Sequence, residues 1–199
     1  MNLIQSGMQL YASLRRRLFT ALMAAQFKEI GTGTRIEPPF RGGSLEQVSL
    51  GDHVMIYRDC WIQVFANGSD GGVAELVIKS HTAIGMGATI SAAQRITIGE
   101  YVLFARNVYV SDHRHAFFDV EDPIMRQGIS SPIPVSIGNR SWLGQNVCVL
   151  PGALIGEHCV IGANSVVTSH IPDFSVAVGA PARVIKQYNQ KTRRWEKVV

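Results

Sequence analysis

The chain has 199 residues, of which 46% are hydrophobic and only 17% charged. That balance excludes a disordered chain and suits one domain with a terminal appendage, and no apolar run is long enough to cross a bilayer. The formal charge of +4 gathers at the two ends, without the dense basic stripe and interleaved aromatics of a nucleic-acid binder, so nucleic acid is set aside as a partner and a phosphorylated small molecule or an anionic membrane surface fits better.

The first element lies within residues 1–30. Arg15-Arg16-Arg17 followed by a short apolar run to Ala25 has the layout of a signal peptide, with the run at the short end for secretion. Tyr11, Leu14, Leu18, Leu22 and Ala25 recur at spacings of three and four, with the arginines mostly between them. That periodicity predicts an amphipathic helix, docked on the domain or on a membrane surface.

The middle of the chain has a period of six. From Ile137 an aliphatic residue returns at Leu143, Val149, Ile155, Ile161 and Val167, and glycine follows directly at Gly138, Gly144, Gly156 and Gly162. The same phrase occurs earlier at Leu50, Ile56 and Ile62, at Ile78, Ile84 and Ile90, and at Ile98, Phe104 and Val110. Six matches neither a helix nor an isolated strand. It does match a short strand and a turn, repeated so that each aliphatic points into a shared core, with three such units to one triangular coil.

Three breaks interrupt the phase: a Gly-rich turn at Asn67–Leu76, a two-residue slip at Arg95–Thr97, and a polar, Pro-containing loop at 111–136. A long loop on a regular scaffold is more often functional than decorative. The repeat stops after Ile171-Pro172, and Val184–Trp195 reads as a short amphipathic helix closing the coil. Cys60, Cys148 and Cys159 are odd in number and lack CxxC spacing, which argues against a disulfide framework or zinc site and for a reducing compartment.

The phrase [LIV]-[GA]-x-x-[STAV]-x resembles the hexapeptide repeat of acyltransferases built on a left-handed parallel β-helix, over roughly residues 45–186. The resemblance implies an all-β domain at 31–183 carrying the loop at 111–136, a helical segment at 1–30 and a helical tail at 184–199. General crossover rules alone would give the opposite hand.

Five histidines, His53, His81, His113, His158 and His170, stand three places after a repeat aliphatic, at expected turn corners, and only His115 stands outside that phase. The segment Tyr109-Val-Ser-Asp-His-Arg-His115-Ala resembles the catalytic segment of sugar and xenobiotic O-acetyltransferases of this family. The resemblance puts His115 first as general base and His113 second, since two histidines two apart leave the register open. Asp112 reads equally as the residue orienting the histidine and as a turn aspartate. The chemistry asks for one imidazole: it takes the proton of an attacking sugar hydroxyl near neutral pH and returns it to the thiolate leaving group.

The same resemblance implies an acetyl-CoA site. Ser136-Ile-Gly-Asn-Arg-Ser-Trp142-Leu-Gly-Gln145 is similar to the family's segment at the acyl-CoA cleft, bringing in Trp142, Gly144 and Gln145. Gln145 stands where relatives often have serine as the oxyanion donor, a departure from the family pattern. Ala105, Ala163 and Thr168 match positions whose main chain lines the pantetheine. In the closing motif, Arg183 and Lys186 match residues that meet the nucleotide phosphates, as a fork and a point charge.

The leading expectation is therefore an acetyl-CoA-dependent O-acetyltransferase acting on a saccharide hydroxyl in capsule or lipopolysaccharide assembly. It would need no metal, work as a homotrimer with sites between subunits, and stand in the cytoplasm, at the inner face of the membrane if the N-terminal helix binds there. The alternatives are a xenobiotic or other small-molecule acetyltransferase, a metal hydratase resembling the γ-carbonic anhydrases through His81, His113 and His115, and a non-catalytic assembly module.

Overall fold

The structure is a computed structural model, and it describes residues 3–65 and 72–198. Half of the break expected at Asn67–Leu76, residues 67–71, lies outside the described residues. The six-residue period becomes a left-handed parallel β-helix with three flat faces. Face A stacks Glu29–Ile30, Val48–Leu50, Glu75–Ile78, Arg95–Ile98, Val135–Ile137 and Leu154–Ile155. Face B begins with Arg35–Ile36, Met55–Ile56, Ala83–Ile84, Leu103–Phe104, Trp142–Leu143 and Val160–Ile161. Face C stacks Phe40–Gly43, Cys60–Val64, Thr89–Ala92, Tyr109–Ser111, Cys148–Val149 and Val166–Val167.

Register explains why the aliphatics return. Leu50, Ile78, Ile98, Ile137 and Ile155 pair in one column on face A. Ile62, Ile90, Val110, Val149 and Val167 form the matching column on face C. All ten are buried, so each coil adds one aliphatic per face to a continuous core. Each such side chain contributes roughly 1.5–3 kcal/mol of apolar burial.

The corners need a left-handed backbone. Between faces A and B, the residue three places after the face A aliphatic has positive φ at His53, His81, Tyr101, Arg140, His158 and Phe174. Between faces B and C the role passes to Asp59, Asn107, Asn146 and Asn164, residue types that tolerate this conformation well. Asn107, Asn146 and Asn164 are also tied by side-chain amide bonds of 3.3 and 3.0 Å. The corner from C back to A is irregular and carries the insertions.

The N-terminal helix, α1, runs Leu3–Met23 and closes the first coil. Phe19 and Met23 pack on the core, and buried Thr20 accepts the Ile36 amide at 2.8 Å through Oγ1. The outward side leaves Tyr11, Leu14, Leu18 and Leu22 exposed. Among the described residues no helix is long and apolar enough to cross a membrane.

The other end departs from expectation. Val184–Trp195 is not a helix: Arg183–Asn189 and Arg194–Lys197 form an antiparallel hairpin that pairs with Ser175–Val178, the last strand of face B. The spacing of Val184, Ile185 and Tyr188 is compatible with a helix, but an open parallel edge offers unpaired backbone groups that only a strand can satisfy. Asn189 sets the turn, its Oδ1 accepting the amides of Lys191 and Thr192 at 2.9 and 3.2 Å.

Candidate active site

The site lies where face C ends in its fourth coil and the long loop begins. Asp112 is fully buried. Its Oδ1 accepts the Ala93 amide and its Oδ2 those of Gln94 and Arg95, each at 2.8 Å, which clamps the corner of the coil below. The same Oδ1 lies 2.9 Å from Nδ1 of His113. A carboxylate engaged this way only accepts, so Nδ1 carries the hydrogen, and in the neutral ring the lone pair is then at Nε2. The His113 side chain is 11% exposed, and its ring and that of Phe65 stand nearly perpendicular, 5.0 Å apart at 84°. Carboxylate and phenyl ring together fix the orientation of the imidazole.

His115 is exposed and sits in an isolated antiparallel bridge with Ile129. Its arm of the loop is tied to the returning arm through Ser130 N to Arg114 O at 2.8 Å and Ala116 N to Gly128 O at 3.1 Å. The loop tip exposes Phe118, Val120 and Met125, at 71%, 91% and 87%. Of the two histidines, His113 is the one held by a carboxylate.

Two cavities meet at this pair. The upper, of about 570 Å³, is lined by Arg114, Phe118, Ser130, Ile133, Leu150 and Thr168 among others. The lower, of about 490 Å³, runs down face C over Trp61, Gln63, Phe65, Thr89, Ser91 and Ile129. Tyr109, His113 and His115 line both. Such volumes fall within the range of small-molecule sites, roughly 300–1,000 Å³. Nothing in the sequence pattern marks Trp61, Gln63 or Phe65 as site residues, and Tyr109 enters only as the first residue of the histidine segment. They stand on outward positions between the repeat aliphatics, where the period says nothing about residue type.

The other expected residues are placed elsewhere. Only Thr168 shares the histidine cleft. Ala105, Gly144, Gln145 and Ala163 form a column at the corner of faces B and C, at the far edge of face C. There Ala105 N donates to Leu143 O and Asn164 N to Gln145 O at 2.8 and 2.9 Å. A Cβ on Gly144 would stand 2.7 Å from the Ala163 nitrogen, so glycine permits the coils to stack. Trp142 is half exposed on face B. Arg183 and Lys186 lie on the C-terminal hairpin beside face B.

The hydratase alternative needs His81 beside His113 and His115. His81 instead lies at the corner of faces A and B, stacked between His53 and Tyr101 at 5.2 and 4.6 Å. Among the described residues no group of three His, Cys, Asp or Glu is placed to hold a metal. The three cysteines are free thiols, and burial pushes Cys60 up to about 11.

The scaffold decides the kinship. Residues 134–169 match the family profile described as bacterial transferase hexapeptide (six repeats). That segment of the chain carries the hexapeptide repeat. Over 114 residues it is 44% identical to the Escherichia coli K12 protein WbbJ, named for lipopolysaccharide biosynthesis O-acetyl transfer, covering 54% of this chain and 58% of that one. Galactoside O-acetyltransferase of the same organism is 39% identical over 107 residues, 54% of this chain and 51% of that one. The chain thus spans about half the length of these curated relatives.

Among solved structures, a mutant of AntD, an N-acyltransferase from Bacillus cereus crystallised with dTDP-4-amino-4,6-dideoxyglucose and coenzyme A, superposes with a TM-score of 0.71 at 20% identity, over 86% of this chain and 90% of that one. A hexapeptide-repeat acetyltransferase of Vibrio cholerae, crystallised with acetyl coenzyme A, gives 0.56 at 22%, over 85% and 76%. At these identities the likeness is one of fold.

Proposed function

We propose that the protein is an acetyl-CoA-dependent O-acetyltransferase that acetylates a saccharide hydroxyl, with His113 as general base and Asp112 as its positioning residue. The observation that carries the reading is the His113–Asp112 pair at the junction of two cavities on a hexapeptide coil. As the hydroxyl oxygen bonds to the thioester carbonyl carbon, Nε2 of His113 takes the hydroxyl proton. Collapse of the tetrahedral adduct breaks the C–S bond, and the same proton passes to the departing thiolate. Sequence favours His115 as the base; the geometry favours His113, because only its ring is fixed by a carboxylate.

The relatives named for acetyl transfer in lipopolysaccharide biosynthesis and to galactosides support this acceptor class and favour a role in surface polysaccharide assembly. Acetyl-CoA is a cytoplasmic metabolite, so the reaction belongs on the cytoplasmic side.

A homotrimer completes the reading. Thr168 stands with the histidines, whereas Ala105, Gly144, Gln145 and Ala163 line the far edge of face C, with Trp142 on face B and Arg183 and Lys186 on the hairpin beside it. One donor molecule touches both sets if the far edge of a neighbouring copy faces the histidine cleft. The apolar tip at Phe118, Val120 and Met125 gives the loop a surface with which to grip that neighbour. Peripheral membrane contact through α1 fits its exposed Leu14, Leu18 and Leu22 beside Arg15 and Arg17, with no acidic residue before Glu29.

The test is an acceptor screen with acetyl-CoA, read by release of free thiol. Sugar-dependent release from the wild-type chain supports the proposal; release by no saccharide, in a chain that binds acetyl-CoA, overturns it.

A further inference from the structure

Among the described residues the two cavities share Tyr109, His113 and His115, so they are two chambers that meet at the histidine pair. Their chemistry differs. The upper contains a guanidinium, Arg114. Among the described residues, the lower is lined by aromatic rings, hydroxyls, an amide, one isoleucine and the two histidines, with no lysine, arginine, aspartate or glutamate.

The lower chamber is laid out by strand register. Trp61, Thr89 and Tyr109 stand side by side on adjacent strands of face C, and Gln63 pairs with Ser91 one step further along. All five point outward, because the alternate positions Ile62, Ile90 and Val110 are in the core. Trp61 is 48% exposed, a large apolar plane left in contact with water at the edge of a polar floor. Gly43 lies against the Gln63 amide, and any side chain there would displace it.

We propose that the lower cavity is the acceptor subsite and that it takes an uncharged pyranose, stacked on the Trp61 indole and hydrogen-bonded by Gln63, Thr89 and Ser91. This rests on the acyl-transfer reading and adds the identity of the acceptor group. A pyranose has a C–H face that lies against an aromatic plane and a rim of hydroxyls that both donate and accept. A uronate, sialate or phosphate at the same place would be stripped of water without a counter-charge, which is strongly unfavourable. A charged part of a larger acceptor would therefore lie outside the cavity. The sugar hydroxyl nearest His113 then meets a thioester arriving through the upper chamber, with Nε2 of the general base beside the hydroxyl.

The experiment measures binding of the full chain to an array of oligosaccharides that are either neutral or carry uronate, sialate or phosphate. Wild type is compared with Trp61→Ala, Trp61→Phe and Ser91→Arg, and acetyl-CoA affinity and thermal melting are followed in parallel. The expected result is binding to neutral glycans, weakened at least tenfold by Trp61→Ala and retained within about threefold by Trp61→Phe, with acetyl-CoA affinity unchanged. Ser91→Arg should lose neutral glycans and gain acidic ones, which keeps the test decisive if Trp61→Ala melts early. Binding confined to acidic glycans, binding indifferent to Trp61, or no glycan binding overturns the subsite. Loss of the acyl-transfer reading looks different: the wild-type chain would fail to bind acetyl-CoA while its glycan binding and Trp61 dependence stand.

Discussion

Nδ1 of His113 lies 2.9 Å from Oδ1 of Asp112, whose carboxylate is buried and already accepts three backbone amides of the neighbouring coil. The His113 ring is thus fastened to the rigid prism although it opens a long loop. Asp112→Asn would turn an NH₂ group toward backbone donors or leave Nδ1–H unpaired. Acetyl transfer should fall by on the order of 10²–10⁴-fold, the scale of a general base in the wrong tautomer or orientation. Stability should fall by about 1–3 kcal/mol for the buried donors left unsatisfied. Steady-state kinetics beside urea unfolding check both; an active, equally stable variant contradicts the arrangement.

Glycine placement along the coil separates packing from propensity. A Cβ on Gly85 would run into the backbone carbonyls of Phe104 and Ala105, whereas around Gly7, on helix α1, nothing lies within 4 Å. Gly85→Ala should destabilise the chain by roughly 1–3 kcal/mol. Gly7→Ala should leave it unchanged or stabilise it by up to about 1 kcal/mol, since glycine is a poor helix former. Denaturant midpoints distinguish the two.

Asn146 combines a left-handed corner, φ 58°, with side-chain amide bonds to Asn107 and Asn164. Asn146→Ala loses both amide partners and the residue type that tolerates the corner, for an expected loss of about 1–2 kcal/mol. Asn146→Gly keeps the corner and should lose less. Equal melting of the two variants would show that the amide ladder, rather than the backbone conformation, dominates.

Cys60 gives an alkaline signature. Burial raises its thiol from an ordinary value near 9 to about 11. Below pH 9 both folded and unfolded chains hold the proton and this group makes no difference. Between pH 9 and 11 the unfolded thiol ionises first, so stability falls as pH rises, by about 1.4 kcal/mol per unit and about 2–3 kcal/mol in all. Cys60→Ala should remove that slope from melts taken between pH 8 and 10.5; an unaltered slope contradicts the assignment.

The scaffold is legible in the sequence because one rule repeats. A single aliphatic every six residues sets three faces, and coil after coil repeats the phase, so the column Leu50, Ile78, Ile98, Ile137 and Ile155 follows from the period alone. The corner residues are legible in part: of the five histidines three places after an aliphatic, His53, His81 and His158 have positive φ, whereas His113 and His170 do not. The site is legible only to a segment. Both histidines stand out in the sequence, but their ranking turns on Asp112, whose partners at Ala93, Gln94 and Arg95 lie about one coil earlier in the chain. Trp61 and Gln63 stand two coils from His113 and become its neighbours only through stacking. The C-terminal tail misleads for a related reason: its conformation is set by the edge at Ser175–Val178, not by its own spacing.

The most direct measurement compares kcat for acetyl transfer from acetyl-CoA in wild type, His113→Ala and His115→Ala, with acetyl-CoA affinity determined for each. The account predicts a loss of at least 10²-fold for His113→Ala with affinity within about threefold of wild type, and a markedly smaller loss for His115→Ala. Undiminished turnover in His113→Ala, or a greater loss in His115→Ala, would contradict it.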